Sequence, residues 1–233
     1  NIPIKREAET KHLGCILDDR LTFRKHIEEK IKKANKGISL LKFLSGYTSR
    51  RVLDKMYKMY VRPHLDYGDV IYHEQLINHM DLLESVQYNA ALIVSGCWKS
   101  TSRDKVYKEL GWESLKERRH FHRLAQYFRI INDLSPPYLK DCIKDLPDSI
   151  TKRYSNSFFP YCKKHWDNLS HTLQNSASLS IFKTSFLKTI RPHPNSIFGI
   201  IDRRGLSHLT QLRVDFSDLR EHRYSRHFNY LSP

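Results

Sequence analysis

The sequence predicts a mainly α fold: a short N-terminal β-hairpin, then a bundle of about five helices, then a smaller, irregular helical C-terminal region. Three observations carry this. Apolar residues recur at steps of three and four from Phe23 onward, glycine or proline closes most of these runs, and β-leaning strings are confined to the stretch before Asp18.

The β-leaning runs are Ile2-Pro3-Ile4 and Lys11-His12-Leu13-Gly14-Cys15-Ile16-Leu17, separated by a polar stretch and expected to form the hairpin. In the first helix Ile27, Ile31, Ala34, Ile38, Leu41 and Leu44 continue the spacing from Phe23, with Thr22 as N-cap and Gly46 at the end. A second helix is expected after Ser49, with Leu53, Met56, Tyr57 and Tyr60 on its core side. It should stop before Pro63, which has no N–H and clashes with the preceding turn, so that Pro63 to Gly68 forms a bend. A third helix fits Met80, Leu83, Val86, Ala90 and Ile93 and closes at Gly96. A short fourth around Val106 and Leu110 ends at Gly111, and a longer fifth carries Leu115, Leu124, Phe128 and Ile131 until Ser135-Pro136-Pro137 breaks it. From Asp145 to Tyr161 the chain turns polar, with Pro147 and Pro160, and the domain boundary is expected there. Beyond it Leu179, Phe182, Phe186 and Ile190 predict another helix, ended by Pro192 and Pro194, and Leu206 to Tyr224 two short ones. The expected divisions are therefore 1–20 for the hairpin, 21–144 for the helical domain and 145–233 for the C-terminal region.

The chain has 233 residues and a formal charge of +15, from 40 Lys or Arg against 25 Asp or Glu. A surplus of that size is most readily neutralised by a polyanion, either nucleic acid or an acidic membrane surface. No apolar run approaches the roughly 20 residues that cross a bilayer, and Asn1-Ile2-Pro3-Ile4-Lys5 does not read as a signal peptide. The expected partner is therefore nucleic acid and not membrane, and the expected location nuclear or cytoplasmic, not secreted. Cys15, Cys97, Cys142 and Cys162 are far apart, with no Cys-x-x-Cys pair and no histidine at finger spacing, so free thiols in a reducing compartment are expected and no zinc site.

Asp18-Asp19 is the first candidate for chemistry, because a polymerase clusters carboxylates around two metal ions. The tyrosine of a Tyr-x-Asp-Asp pattern is missing, and an aspartate opening a turn before a helix is the simpler reading. His120 and His122 diverge by about 200° around a helix and are not expected to share one ion. No nucleophile elbow, His-Glu-x-x-His or glycine-rich phosphate loop occurs. Neither a catalytic residue, a metal nor a cofactor is expected.

The informative signal is basic and helical. Arg51, Lys55, Lys58 and Arg62 are spaced four, three and four apart, along the face opposite Leu53, Met56, Tyr57 and Tyr60, with Asp54 as the nearby acid. Lys25, Lys32 and Lys36 form a similar stripe on the first helix, diluted by Glu28 and Glu29, which stand four residues before Lys32 and Lys33. Arg118, Arg119, Arg123 and Arg129 form a looser cluster on the fifth. Such stripes are often only solvated faces, but here the whole chain carries excess positive charge. Tyr57, Tyr60, Trp98 and Trp112 could stack on bases, with a place in the core as the competing reading.

Several strings in order resemble one family. Lys11-His12-Leu13-Gly14-Cys15-Ile16-Leu17-Asp18, Lys33-Ala34-Asn35-Lys36-Gly37-Ile38 and Val61-Arg62-Pro63-His64-Leu65-Asp66-Tyr67-Gly68-Asp69-Val70-Ile71-Tyr72 resemble the downstream half of reverse transcriptases from jockey-like non-LTR retrotransposons. Glu84 to Ala91, Tyr107 to Gly111, Asn156 to Pro160, Ile190 to Pro192 and Leu219 to His222 continue the similarity over nearly the whole chain. The resemblance implies that Leu13-Gly14 belongs to a primer-grip-like hairpin closing the palm, and that the following helices are a thumb packing along the template–primer duplex. In that family the catalytic aspartates lie upstream of the segment matched here, and a cysteine-rich segment follows near the position of Pro233. A truncated or decayed copy is the corresponding expectation.

The expected function is sequence-tolerant binding to an RNA–DNA or RNA duplex through phosphate contacts, which orient a partner but read no bases. The candidate binding residues are Arg51, Lys55, Lys58, Arg62, Lys25, Lys32, Lys36, Arg119 and Arg123, with Leu13 and Gly14 as the primer-grip-like pair. The competing readings are reverse transcription in a longer parent chain, and a helical interaction module whose basic faces keep it soluble.

Overall fold

The computed structural model describes residues 7–72, 77–144, 146 and 151–190. Within them the fold is mainly helical behind a two-stranded hairpin, as the apolar spacing predicts. Strand β1 (Glu9–His12) pairs antiparallel with β2 (Cys15–Asp18), Glu9 opposite Asp18 and His12 opposite Cys15. Eleven helices follow among the described residues: α1 (Arg24–Leu44), α2 (Arg50–Tyr60), α3 (Arg62–Asp66), α4 (Ile77–Ser95), α5 (Arg103–Leu110), α6 (Leu115–Ile131), α7 (Tyr138–Lys144), α8 (Lys152–Ser155), α9 (Phe158–Asp167), α10 (His171–Gln174) and α11 (Leu179–Ile190).

The expected hairpin is present, and among the described residues its two strands both lie between Glu9 and Asp18. The Lys11–Leu17 string folds back on itself, while its expected partner Ile2-Pro3-Ile4 lies outside the described residues. Leu13 and Gly14 form the two-residue turn with φ of 45° and 79°, the left-handed pair whose twist matches antiparallel strands. Glycine is suited to the second position because it has no Cβ to clash there.

Two prolines stand where the sequence suggested loop. Pro63 lies in the first turn of α3, and Pro160 in the first turn of α9. A first-turn proline loses no intrahelical hydrogen bond, since those N–H groups have no partner within the helix. The expected bend at Pro63 is therefore a short helix, and part of the expected loop from Asp145 to Tyr161 is helical. The glycine stops hold at Gly111, which caps α5 at φ 64°, and at Gly96, φ 75°, directly after α4. The two short helices expected between Leu206 and Tyr224 lie outside the described residues.

The chain divides into two units, Asn1–Lys30 with Asp66–Leu83 and Ser114–Arg191, and Ile31–Leu65 with Glu84–Glu113 and Pro192–Pro233. In the first unit α6 starts at a capping box, Ser114 accepting from the Glu117 N–H while the Glu117 carboxylate accepts from the Ser114 N–H. Phe121, Leu124 and Phe128 of α6 share a core with Cys162 and Trp166 of α9 and Phe182 and Phe186 of α11. Phe128 and Phe182 stack with ring centroids 4.9 Å apart. This core draws on both sides of the stretch expected as a domain boundary. In the second unit the buried apolar residues include Ala34 and Leu41 of α1, Leu53 and Tyr57 of α2, Val86 and Ala90 of α4, and Val106 and Leu110 of α5. Gly37 lies on the buried side of α1, where a Cβ would come within 2.7 Å of the Tyr60 carbonyl oxygen. The missing side chain is what lets the end of α2 approach α1.

Candidate nucleic-acid interface

Helix α2 presents its cations because its other face is pinned. Ser49 caps it, accepting a hydrogen bond from the Val52 N–H. On the buried face the Tyr57 hydroxyl donates to Gln87 at 2.7 Å, and Gln87 donates to the Glu113 carbonyl at 2.9 Å. The Tyr57 ring stacks on Trp112, centroids 3.8 Å apart. Arg50, buried at the first position, pairs with Glu109 at 3.1 Å and also donates to its carbonyl at 3.0 Å. Nearby, Tyr107 donates to Glu84 at 2.7 Å, and burial together with the Glu84 charge pushes its pKa far up. These bonds satisfy polar groups that would otherwise be costly to bury, and those made by Arg50 and Tyr57 fix the rotation of α2.

With that rotation set, Arg51, Lys55 and Lys58 are exposed on one side. Among the described residues Arg51 and Lys55 engage no acidic group, whereas Lys58 pairs with Asp54 at 2.7 Å. Asp54 also accepts from the Trp112 indole at 2.8 Å, so its charge is shared. Arg62 is half-buried and faces Glu113 at 3.5 Å, which ties it into the fold more than the sequence suggested. Tyr60, expected on the core side, is 48% exposed; the buried stripe instead runs Arg50, Leu53, Tyr57, Val61. A helix turns about 100° per residue, so Val61 continues that stripe one turn beyond Tyr57 where Tyr60 falls to its flank.

On α1, Lys32 and Lys36 are exposed. Glu28 pairs backward with Arg24 at 3.1 Å instead of forward with Lys32, because both neighbours stand one turn away and Arg24 takes the carboxylate. Lys25 is bound by Glu9 of the hairpin at 2.7 Å. The α6 cluster is a correction. Arg119 and Arg123 are 3% and 1% exposed, and Arg118 is buried against Asp66 at 2.7 Å. Arg123 lies over the Tyr161 ring at 4.5 Å and donates to the Asn156 carbonyl at 3.2 Å. In this fold their guanidinium groups are out of reach of a phosphate, and Arg129 is the exposed member of that set. Helical spacing alone could not separate the two cases, since buried arginines with aromatic partners share the periodicity of a solvated stripe.

His120 and His122 point to different partners, His120 to the Tyr161 hydroxyl at 2.8 Å and His122 to Asp69 at 2.5 Å. Burial, helped by His165 and Arg123, lowers the His120 pKa to about 4. All four cysteines are free, Cys15 and Cys162 buried, and burial pushes the Cys162 thiol up to about 12. Asp18 organises the turn between β2 and α1: its carboxylate accepts from the Arg20, Thr22 and Phe23 N–H groups and from the Thr22 hydroxyl. Burial opposes its ionised form, but these hydrogen bonds outweigh it and hold the carboxyl below its ordinary value.

The four aromatic residues considered for base stacking divide evenly. Tyr57 and Trp112 are core, while Tyr60 and Trp98 are about half-exposed. Two residues the sequence reading passed over are more open than either: Phe43 at the end of α1 and Tyr47 just beyond it, 70% and 81% exposed, with ring centroids 6.1 Å apart. The signal that could have found them is their position off the apolar stripe of α1.

A stretch of 140 residues, 59% of this chain, is 25% identical to the "Probable RNA-directed DNA polymerase from transposon X-element" of Drosophila melanogaster. The similarity is to a transposon reverse transcriptase. The chain spans 14% of that relative's length. No family model matches the chain, and no solved structure matches it.

The Asp66–Tyr72 stretch, part of the reverse-transcriptase resemblance, has a structural role of its own in the first unit. The Tyr67 hydroxyl donates to the Leu13 carbonyl at the hairpin turn, and its ring lies 3.7 Å beneath the buried ammonium of Lys30. Buried His26 accepts from the Ile16 N–H through Nδ1 at 3.3 Å, which leaves Nε2 protonated to donate to the Tyr67 carbonyl at 3.3 Å. Asp66 holds Arg118, and Asp69 holds His122. Burial raises the Asp69 pKa, with the His122 bond opposing. One short segment thus ties the hairpin and the start of α1 to α6, and it sets the position of Leu13, 81% exposed at the tip.

Proposed function

We propose that this chain is the nucleic-acid-binding region downstream of the catalytic palm in a jockey-like non-LTR reverse transcriptase, acting in the nucleus or cytoplasm. Its helices serve as a thumb, and Leu13-Gly14 as a primer-grip-like turn. It holds template–primer duplex by phosphate contacts, without the palm carboxylates that catalyse polymerisation. Asp18 fits this reading, because it is committed to its turn. The observation that carries the proposal is the outward row Arg51, Lys55, Lys58 on a helix pinned from behind, in a chain of charge +15 similar to a transposon polymerase. Lys32 and Lys36 extend the same role. Arg119 and Arg123, being buried, fall outside it.

The test is salt dependence. Each phosphate contact contributes roughly 0.9 to the log–log slope on B-form DNA, and somewhat less elsewhere. Arg51→Ala with Lys55→Ala should flatten the slope by about one to two units and weaken unrelated duplex sequences alike. Lys140→Ala with Lys144→Ala removes the same charge from lysines already paired with Asp133 and Asp141. Equal losses from both pairs would mean that net charge alone is responsible and that α2 is an ordinary solvated face.

A further inference from the structure

We infer that Phe43 and Tyr47 form a stacking platform for unpaired nucleotides, a site distinct from the phosphate-contacting row on α2. The inference rests on the nucleic-acid reading and deepens it by naming a preferred substrate: a duplex carrying a single-stranded extension.

Two independent features point there. The first is exposure. Two large rings stand side by side, mostly open, with half-exposed Leu40 one turn before Phe43. Burial of the α1 stripe through Ala34 and Leu41 leaves them outside the core. Lone exposed apolar residues are common, but adjacent open aromatics suit a planar partner. The second feature is charge. From Ile31 to Leu53 no acidic residue occurs, while Lys32, Lys33, Lys36, Lys42, Arg50 and Arg51 do. Arg50 is committed to Glu109; the other five are exposed. On α1, Lys32, Lys33, Lys36, Leu40 and Phe43 fall within an arc of about 100° at 100° per residue. An apolar partner would not draw on this concentration of cations, whereas a strand that offers flat bases and a phosphate chain uses both. Base–aromatic stacking is worth about 1–3 kcal/mol per base and tolerates any sequence.

Anisotropy of the full chain with two probes tests this: a blunt duplex, and the same duplex with a short single-stranded extension containing 2-aminopurine. The chain is expected to prefer the extended probe and to quench its base fluorescence. Phe43→Ala with Tyr47→Ala should lower affinity for the extended probe about tenfold and leave blunt binding and thermal stability unchanged. Phe43→Leu with Tyr47→Leu should lose the preference as well, and Phe43→Trp with Tyr47→Trp should keep it. Wild-type preference in the leucine variant would overturn the inference, because any apolar contact would then suffice. Self-association that vanishes in the alanine variant would also overturn it, assigning the patch to a second copy. If both probes bind wild type equally while Arg51→Ala with Lys55→Ala still flattens the salt slope, the platform fails and the duplex reading stands. If neither probe binds, both fail.

Discussion

At Gly37 local preference and surroundings oppose each other. In an isolated helix a Gly→Ala change is favourable by roughly 1 kcal/mol. Here the new methyl would sit 2.7 Å from the Tyr60 carbonyl oxygen and 2.9 Å from Val61, and an overpacked contact costs about 1–3 kcal/mol. Because the closest atom is backbone, it cannot turn aside. Gly37→Ala is therefore expected to lower stability by up to about 2 kcal/mol in chemical denaturation; a rise in stability would show that α2 shifts freely. His120 sets a different expectation. Its pKa falls from 6.5 to about 4 on folding through burial, His165 and Arg123, so below pH 6.5 the unfolded chain takes up a proton that the folded chain refuses. The contribution is complete above the unfolded pKa and is lost as pH drops toward 4. Denaturation curves for wild type and His120→Phe, at neutral pH and near pH 5, should show the variant losing less stability on acidification. Parallel losses would assign the acid sensitivity to other groups.

Helix α1 was legible because its buried residues repeat at helical spacing, Ile27 in the first unit and Ala34 and Leu41 in the second, and α11 because Phe182 and Phe186 do the same. The hairpin was legible in kind but not in register, because a two-residue turn can be set by backbone torsions at Leu13 and Gly14 that hydropathy does not record. Pro63 misled for a positional reason: a proline that ends one helix and a proline that opens the next look alike in sequence. On the surface, α2 could be read because the cations lie opposite a clear apolar stripe. In contrast, α6 could not, since Arg118 and Arg123 answer to Asp66, Tyr161 and Asn156, partners 33 to 52 residues distant in sequence. The same contrast frames the alanine pair on α2. Arg51 and Lys55 have no acidic partners among the described residues, and alanine is a strong helix former, so their replacement should act on binding without disturbing the helix.

For the molecule as a whole, the shared core of α6, α9 and α11 makes a division near Asp145 costly. A chain ending at Lys144 loses Cys162, Trp166, Phe182 and Phe186. Each large buried side chain is worth about 1.5–3 kcal/mol, so the loss approaches the roughly 5–15 kcal/mol that stabilises a typical domain. Such a fragment should bind a hydrophobic dye and melt without a sharp transition; a cooperative melt equal to that of the full chain would refute the shared core. The Tyr67 contact with the Leu13 carbonyl has a further consequence, in the order of events during folding. The hairpin is built from neighbouring residues and can form within microseconds, yet two strands alone are marginal in water. The contact that secures its turn spans 54 residues of chain, and closing so long a loop comes late. A structure that can form early is thus among the last to become persistent, and the tip carrying Leu13 acquires its final position only after the Asp66–Tyr72 segment has met the hairpin.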